Sequence, residues 1–188
     1  KVMTKERDES VTDSAGINGL AGFAVLSRLG LTRWPALTAG LGAMLTISVL
    51  AVLEESGVPL LTQDQIWLMA PFGATMVLQF GLPDSPLAQP KNIIVGHIMT
   101  TAIGLAVMGL FDVHAWSLGL AVGLAIVFMM VTKTVHPPAG ANPLLVMLTG
   151  QSVGFLVSPV AIGAVIIVLL GWFYHKALCQ REYPKQWF

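Results

Sequence analysis

Two short motifs built around Pro, Gly and Ala are the residues of this chain best suited to bind a ligand. They read PFGAT at 71–75 and PAGAN at 138–142. Thr75 and Asn142 are residue types that cap helix N-termini, so we expect extended backbone before them and short helices over 76–82 and 143–149. Free N–H groups at such helix starts favour an anion. The alternative is that both motifs are merely helix kinks.

The candidate substrate-binding residues follow from these motifs and from a neighbouring histidine. The two glycines would let backbone approach a ligand closely, because they lack a side chain. The predicted set is Gly73, Ala74, Thr75, His136, Gly140, Ala141 and Asn142.

Histidines and lysines near the motifs supply a second kind of chemistry. His136 precedes Pro137 and is expected either to contact a ligand or gate a proton-coupled step, since histidine titrates near neutral pH, or simply to cap the segment. His97, Lys91 and Lys133 are candidates for gating or anion attraction, with a structural hydrogen bond or membrane anchoring as the alternatives. His114 and His175 are assigned to the surface or the interface.

Other site chemistries find no support in the pattern. No Gly-x-Ser-x-Gly, His-Glu-x-x-His or metal-ligand spacing occurs, so we expect neither catalysis nor a metal, and no cofactor. A single Cys179 excludes a disulfide framework. A net charge of zero argues against a nucleic-acid partner.

The elements that would position these residues lie in a membrane. The chain is 55% hydrophobic and 11% charged, with a mean hydropathy of +0.76, whereas soluble domains carry about 25% charged residues. No Asp, Glu, Lys or Arg occurs in five runs, which are 34–53, 65–83, 92–111, 113–132 and 134–175. Because about 20 residues cross a bilayer, the pattern predicts an all-α bundle of about six membrane elements, two of them short and broken.

Charge placement predicts the orientation. With six elements, all ten basic residues fall on one side, and the other side holds only Glu54, Glu55, Asp64 and Asp112. The positive-inside rule then puts both termini in the cytoplasm, in a bacterial inner membrane. The expected divisions are a tail with an interfacial amphipathic helix over 1–33, a transmembrane domain over 34–176 and a second tail over 177–188.

An offset of 67 residues relates the two motifs and several later positions. Four residues from Pro71 to Leu78 recur between Pro138 and Leu145. Three crossings per unit would make a 3+3 inverted repeat, which is a transporter pattern with a site near the membrane centre.

The strings PFGAT, SPLAQPKN followed by GH, and TVHPPAGAN resemble the HPP family of integral membrane proteins, over about residues 30–175. Members in plastids and cyanobacteria are associated with nitrite transport, which the resemblance implies here. The family usually has Arg where this chain has Lys91, and it is described with about four spans. We therefore expect a small-anion transporter or channel that forms a homo-oligomer, and the alternative is a membrane sensor or anchoring module without transport.

Overall fold

The computed structural model of the protein describes residues 24, 34–56 and 67–187. The interfacial helix predicted within 1–33 and most of the outer loop after Ser56 lie outside these residues.

Six α-helices make up the described chain, which agrees with the six predicted membrane elements. We number them α1 (Pro35–Glu55), α2 (Ala70–Met76), α3 (Pro90–Leu110), α4 (Ala115–Val131), α5 (Asn142–Thr149) and α6 (Ile162–Phe173). π-helical turns extend α2 through Val77–Gly81 and flank α6 at Val157–Ala161 and Tyr174–Leu178. The 3-10 turns cover Pro86–Ala88, Pro137–Ala141 and Val153–Leu156.

Three helical segments among the described residues are long and apolar enough to cross a bilayer. They are Pro35–Glu55, Pro90–Leu110 and Val153–Leu178. A fourth apolar helix, Ala115–Val131, has 17 residues, which is near the lower limit of about 17–25 for a span. The chain is therefore an integral membrane protein of helical type, with α2 and α5 as the two short elements.

The extended backbone predicted for the Pro-Gly motifs is wrong in both copies, whereas the short helix predicted over 143–149 is confirmed by Asn142–Thr149. α2 begins at Ala70, six residues earlier than expected, and Pro71 lies in its first turn, where a missing N–H costs no hydrogen bond. In the second copy the segment Pro137–Ala141 is a 3-10 turn that leads directly into α5. Proline thus starts a helix in both motifs, where we had predicted extended backbone.

The helix α3 is the centre of the bundle, because it lies against α4, α5 and α6. Gly104 lets α5 come very close: a Cβ at this position would be 2.7 Å from the Cα of Pro143 and 2.6 Å from the side chain of Val146. Gly163 of α6 does the same for Phe72, whose ring would be 2.5 Å from an added Cβ. Small residues are what allow helices to pack closely in lipid.

The last described residues fold back onto the turn between α2 and α3. The hydroxyl of Tyr183 donates to the carbonyl of Ala88 at 2.9 Å, and the backbone N–H of Lys185 donates to Gln89 Oε1 at 2.9 Å. The ammonium of Lys185 also lies 2.9 Å from a carboxylate oxygen of Asp84. This ion pair holds the pKa of Asp84 below its usual value.

Candidate functional site

Four uncharged polar side chains meet in the interior of the bundle. Thr75, His97, His136 and Asn142 each have a relative exposure of 0%, and they come from α2, α3, the segment before α5, and α5 itself. Polar groups inside a membrane protein are costly unless they are paired, and they are rare outside functional sites. We call these four residues the polar cluster.

Thr75 is the centre of the polar cluster. Its Oγ1 lies 2.9 Å from His97 Nε2 and 2.9 Å from His136 Nε2, and it is also 3.0 Å from the carbonyl of Pro71 one turn earlier. We had predicted Thr75 as a helix N-cap, and this is wrong because the residue lies inside α2. Its hydroxyl instead joins two imidazole rings from different parts of the chain.

Asn142 holds the other edge of the His97 ring. Its Nδ2 lies 3.0 Å from His97 Nδ1, 3.1 Å from the His97 carbonyl and 3.1 Å from Thr100 Oγ1. Asn142 is the first residue of α5 and makes no capping hydrogen bond, so the predicted N-cap role is wrong here as well. The amide connects α5 to α3 and thereby joins the two motifs.

The second histidine is held by backbone on its outer edge. His136 has extended backbone, with φ −137° and ψ 99°, and its Nδ1 lies 2.8 Å from the carbonyl of Leu87. Asn92 of α3 donates to the carbonyl of Val135 at 2.9 Å, which fixes the chain just before the ring. The two imidazole rings are 5.1 Å apart and meet edge to face.

The protons of the polar cluster can be assigned from partners that only accept. The Leu87 carbonyl requires a hydrogen on His136 Nδ1, so in the neutral ring His136 Nε2 is an acceptor. The His97 carbonyl requires the NH₂ of Asn142 on its side, so His97 Nδ1 accepts and Nε2 carries the hydrogen. The single hydrogen of the Thr75 hydroxyl has two acceptors within reach, the carbonyl of Pro71 and His136 Nε2.

One acceptor of the polar cluster has no partner in this arrangement. Asn142 Oδ1 is buried without a hydrogen bond, as is the Thr101 hydroxyl on the neighbouring position of α3. A buried unsatisfied polar group costs about 1–3 kcal/mol. The side chains of the polar cluster therefore bond mainly to one another, and Asn142 Oδ1 is still able to accept a hydrogen bond.

The predicted loop residues do not line the polar cluster. Gly73, Ala74 and Ala141 are exposed and Gly140 is half-buried, and an added Cβ at Gly73 or Gly140 would meet nothing within 4 Å. Lys91 lies in the first turn of α3, and Lys133 lies in the turn after α4 with a φ of 56°. Neither lysine contacts the four cluster residues through a hydrogen bond in the described chain.

A second buried polar group was missed by the sequence analysis. His175, which we had placed at the surface or interface, is 2% exposed, and its Nε2 donates to the carbonyl of Gln79 at 2.8 Å. The Gln79 amide donates to the carbonyl of Ile167 at 2.9 Å. Spacing was the available signal, because Gln79 follows Thr75 by one helical turn and so shares its face.

A cavity of about 340 Å³ opens beside His175. Thr38, Phe80, Tyr174 and Arg181 are among the residues that line it, and none of the polar cluster residues is. Within the described ranges no group of three or more His, Cys, Asp or Glu side chains is placed to hold a metal ion.

These observations define a class of protein before any relative is considered: a polytopic helical membrane protein with a buried, uncharged polar site. The model of the family described as HPP, transmembrane region, matches residues 30–184. The chain belongs to this family, as the three motifs had indicated.

Two curated relatives are transmembrane proteins of Dictyostelium discoideum. One is 34% identical over 155 residues, which are 78% of this chain and 49% of the relative. The other is 34% identical over 128 residues, which are 64% of this chain and 45% of the relative. The chain therefore spans about half the length of the curated relatives it matches. No solved structure matches it.

Proposed function

We propose that the protein is a transporter or channel for a small inorganic anion, with nitrite as the first substrate to test. The observation that carries the proposal is the polar cluster itself: four fully buried polar side chains where α2, α3 and α5 meet. Ionisable side chains such as His97 and His136 are rare inside membrane segments, and they mark substrate pathways, ion pathways and proton relays there.

Three donors of the polar cluster could turn toward a small anion. They are the hydroxyl of Thr75, the amide NH₂ of Asn142 and the Nε2–H of His97. In the structure Asn142 bonds to His97 and Thr100, and His97 Nε2 bonds to Thr75. Nitrite can accept several such bonds through its two oxygens. Because the site has no fixed positive charge, it would not trap the anion, and a transporter must release its substrate as well as bind it.

A 3+3 inverted repeat is part of this proposal, and the element boundaries support it. The offset of 67 residues relates 70–81 to 137–148, and it relates the starts of the 3-10 turns at Pro86 and Val153. The same offset relates the helical turn that starts α3 at Pro90 to the one that starts at Val157.

Close contacts between the two units support a two-fold relation. Two contacts from a residue of the first unit to a residue of the second recur with the offset added to one and subtracted from the other. The pairs are Gly96 with Ala139 and Gly163 with Phe72, then Gly104 with Val146 and Gly171 with Gln79. An exchange of this kind is what a two-fold axis produces.

The direction of the helices supports an axis in the membrane plane. α3 runs alongside α5 in the same sense, because Gly96 lies near Ala139 and Gly104 lies near Val146. α6 runs opposite to α3, since the chain just after α6 reaches Ala88, at the start of α3. An inverted repeat of this kind suits alternating access, in which one unit rocks against the other around the polar cluster.

Uptake into proteoliposomes tests the proposed function. Purified protein should accumulate nitrite faster than protein-free vesicles do, and nitrate, formate, bicarbonate and chloride would establish selectivity. Asn142→Ala should lower the rate, and Gly109→Ala on α3 is the matched control because its added Cβ meets nothing within 4 Å. Wild-type vesicles that take up none of these anions would favour the alternative, a sensor or anchoring module.

The proposal includes an orientation with both termini in the cytoplasm, in a bacterial inner membrane. Single cysteines at Glu55 or Asp112, both exposed in the structure, should react with an impermeant label from outside the cell. A cysteine at Lys91 should react only after the membrane is opened. The reverse labelling pattern would contradict the orientation.

We also propose a homo-oligomer that packs through exposed glycines. Added Cβ atoms at Gly40, Gly119 and Gly123 would meet nothing within 4 Å in the single chain, so these positions leave room for a second copy. Light scattering of the purified protein, with protein and detergent masses separated, would measure the state. A monomeric mass across the working concentration range would contradict it.

A further inference from the structure

We propose that the polar cluster is a proton relay in which Thr75 passes a proton between His97 and His136, so that anion transport is coupled to a proton. This inference rests on the proposed function but concerns a different chemistry. It follows from the hydrogen-bond order around one hydroxyl that bridges two imidazole nitrogens, each at 2.9 Å.

The first argument is electrostatic. An anion bound among these side chains would bring one negative charge into a site without a positive one, and uncompensated charge inside a membrane protein is costly. The side chains and carbonyl that bond or stack with the two rings are all uncharged; they belong to Phe72, Thr75, Leu87 and Asn142. A proton on the histidine pair would supply the missing charge.

The second argument is the direction of the bonds. His97 donates from Nε2 to Thr75, and the Thr75 hydroxyl lies within hydrogen-bond distance of both His136 Nε2 and the Pro71 carbonyl, so it can donate to His136 by turning away from Pro71. A proton that arrives from the aqueous phase at His97 Nδ1 displaces the bond from Asn142. The Nε2 proton then moves to Thr75 Oγ1 as the hydroxyl proton moves to His136 Nε2.

The products of this relay balance in charge and protons. His97 is again neutral but carries its hydrogen on Nδ1, Thr75 is again a hydroxyl, and His136 is an imidazolium with hydrogens on both nitrogens. The Leu87 carbonyl, 2.8 Å from His136 Nδ1, still accepts from that nitrogen and stabilises the cation. The positive charge has thus moved from one ring to the other without either ring changing position.

Substitution of Thr75 tests the relay, because serine keeps the hydroxyl and valine removes it at similar volume. Vesicles would contain a pH-sensitive dye, and nitrite uptake and lumen acidification would be measured together, with protein-free vesicles subtracted. We expect wild type and Thr75→Ser to acidify the lumen in proportion to nitrite uptake. Thr75→Val should lower the acidification per nitrite taken up at least tenfold, and so should His136→Gln, which serves if the valine variant is poorly folded.

An NMR measurement separates failure of the relay from failure of the proposed function. The ¹⁵N shifts of the wild type should report hydrogens on His97 Nε2 and His136 Nδ1, and acidification should change both rings together. In Thr75→Val the two rings should titrate independently. Wild type and Thr75→Val that titrate alike, or a valine variant with unchanged acidification, would overturn the relay. Coupled rings in a protein without anion uptake would overturn the transport function alone.

Discussion

Gly104→Ala tests the contact that brings Asn142 to His97. The added methyl would lie 2.6 Å from Val146 Cγ2 and 2.7 Å from Pro143 Cα, and the second of these is backbone that cannot rotate away. Overpacking of this kind costs about 1–3 kcal/mol. Replacing glycine by alanine inside a helix returns about 0.5–1 kcal/mol, so the net loss of unfolding free energy should be about 0.5–2 kcal/mol.

Gly109→Ala is the matched control for this substitution. It lies on the same helix and its Cβ would meet nothing within 4 Å, so only the gain of about 0.5–1 kcal/mol in helix propensity applies. The two variants should therefore differ by about 1–3 kcal/mol. For a chain of this size, 1 kcal/mol corresponds to about 2–4 °C in the melting temperature, which gives a separation of about 2–12 °C.

Thermal unfolding in one detergent, followed by tryptophan fluorescence, measures this separation. Nitrite uptake by Gly104→Ala should fall as well, because the added methyl pushes α5 away from α3 and so moves Asn142 away from His97. If Gly104→Ala melts at or above the temperature of Gly109→Ala, then α3 and α5 are not in close contact, and the geometry used for the polar cluster is wrong.

Three further outcomes follow from individual contacts. Asn142→Ala should lower nitrite uptake and weaken the fold by about 1–3 kcal/mol, since it leaves buried groups unpaired; unchanged uptake would place the substrate elsewhere. Glu54→Gln should lower the melting temperature more than the exposed control Glu55→Gln, because the carboxylate of Glu54 accepts two backbone N–H groups at the start of the next segment; equal melting temperatures would argue against that anchor. Lys185 holds the pKa of Asp84 below its usual value. The ion pair should therefore keep the tail in place at a pH above this lowered pKa, and it should release the tail as the pH falls through it. The protection of the tail amides against hydrogen exchange, relative to the intrinsic rate at each pH, should fall on acidification in wild type, and a similar fall in Asp84→Asn would contradict this.

Sequence alone predicted the membrane class and the six elements because both depend on a simple quantity, the spacing of charged residues. The runs without charge end within a few residues of the helices, as the segment 92–111 shows against Pro90–Leu110. The paired Pro-Gly-Ala motifs and the histidine beside the second one placed Thr75, His136 and Asn142 in the predicted binding set, and His97 was a candidate for gating.

The roles of these residues could not be predicted in the same way. Thr75 and Asn142 are good N-caps in isolation. Because each helix begins near a proline, Thr75 lies inside α2 and Asn142 is the first residue of α5. Their side chains therefore bond to residues of other segments. Those partners are remote in sequence, since Thr75 and His136 are 61 residues apart. His175 was misplaced because its buried position depends on the contact with Gln79, 96 residues away.

The shortness of α2 and α5 has a consequence for how the protein is made. Neither segment is long enough to be inserted into the bilayer by itself, since α2 has 7 residues and α5 has 8, against about 20 for an independent span. During synthesis α2 is complete before His136 exists, so Thr75 must wait for one of its two imidazole partners. The polar cluster is therefore completed only when α5 docks on α3, and a ribosome stalled before residue 136 would carry a chain in which Thr75 and His97 still lack His136 and Asn142.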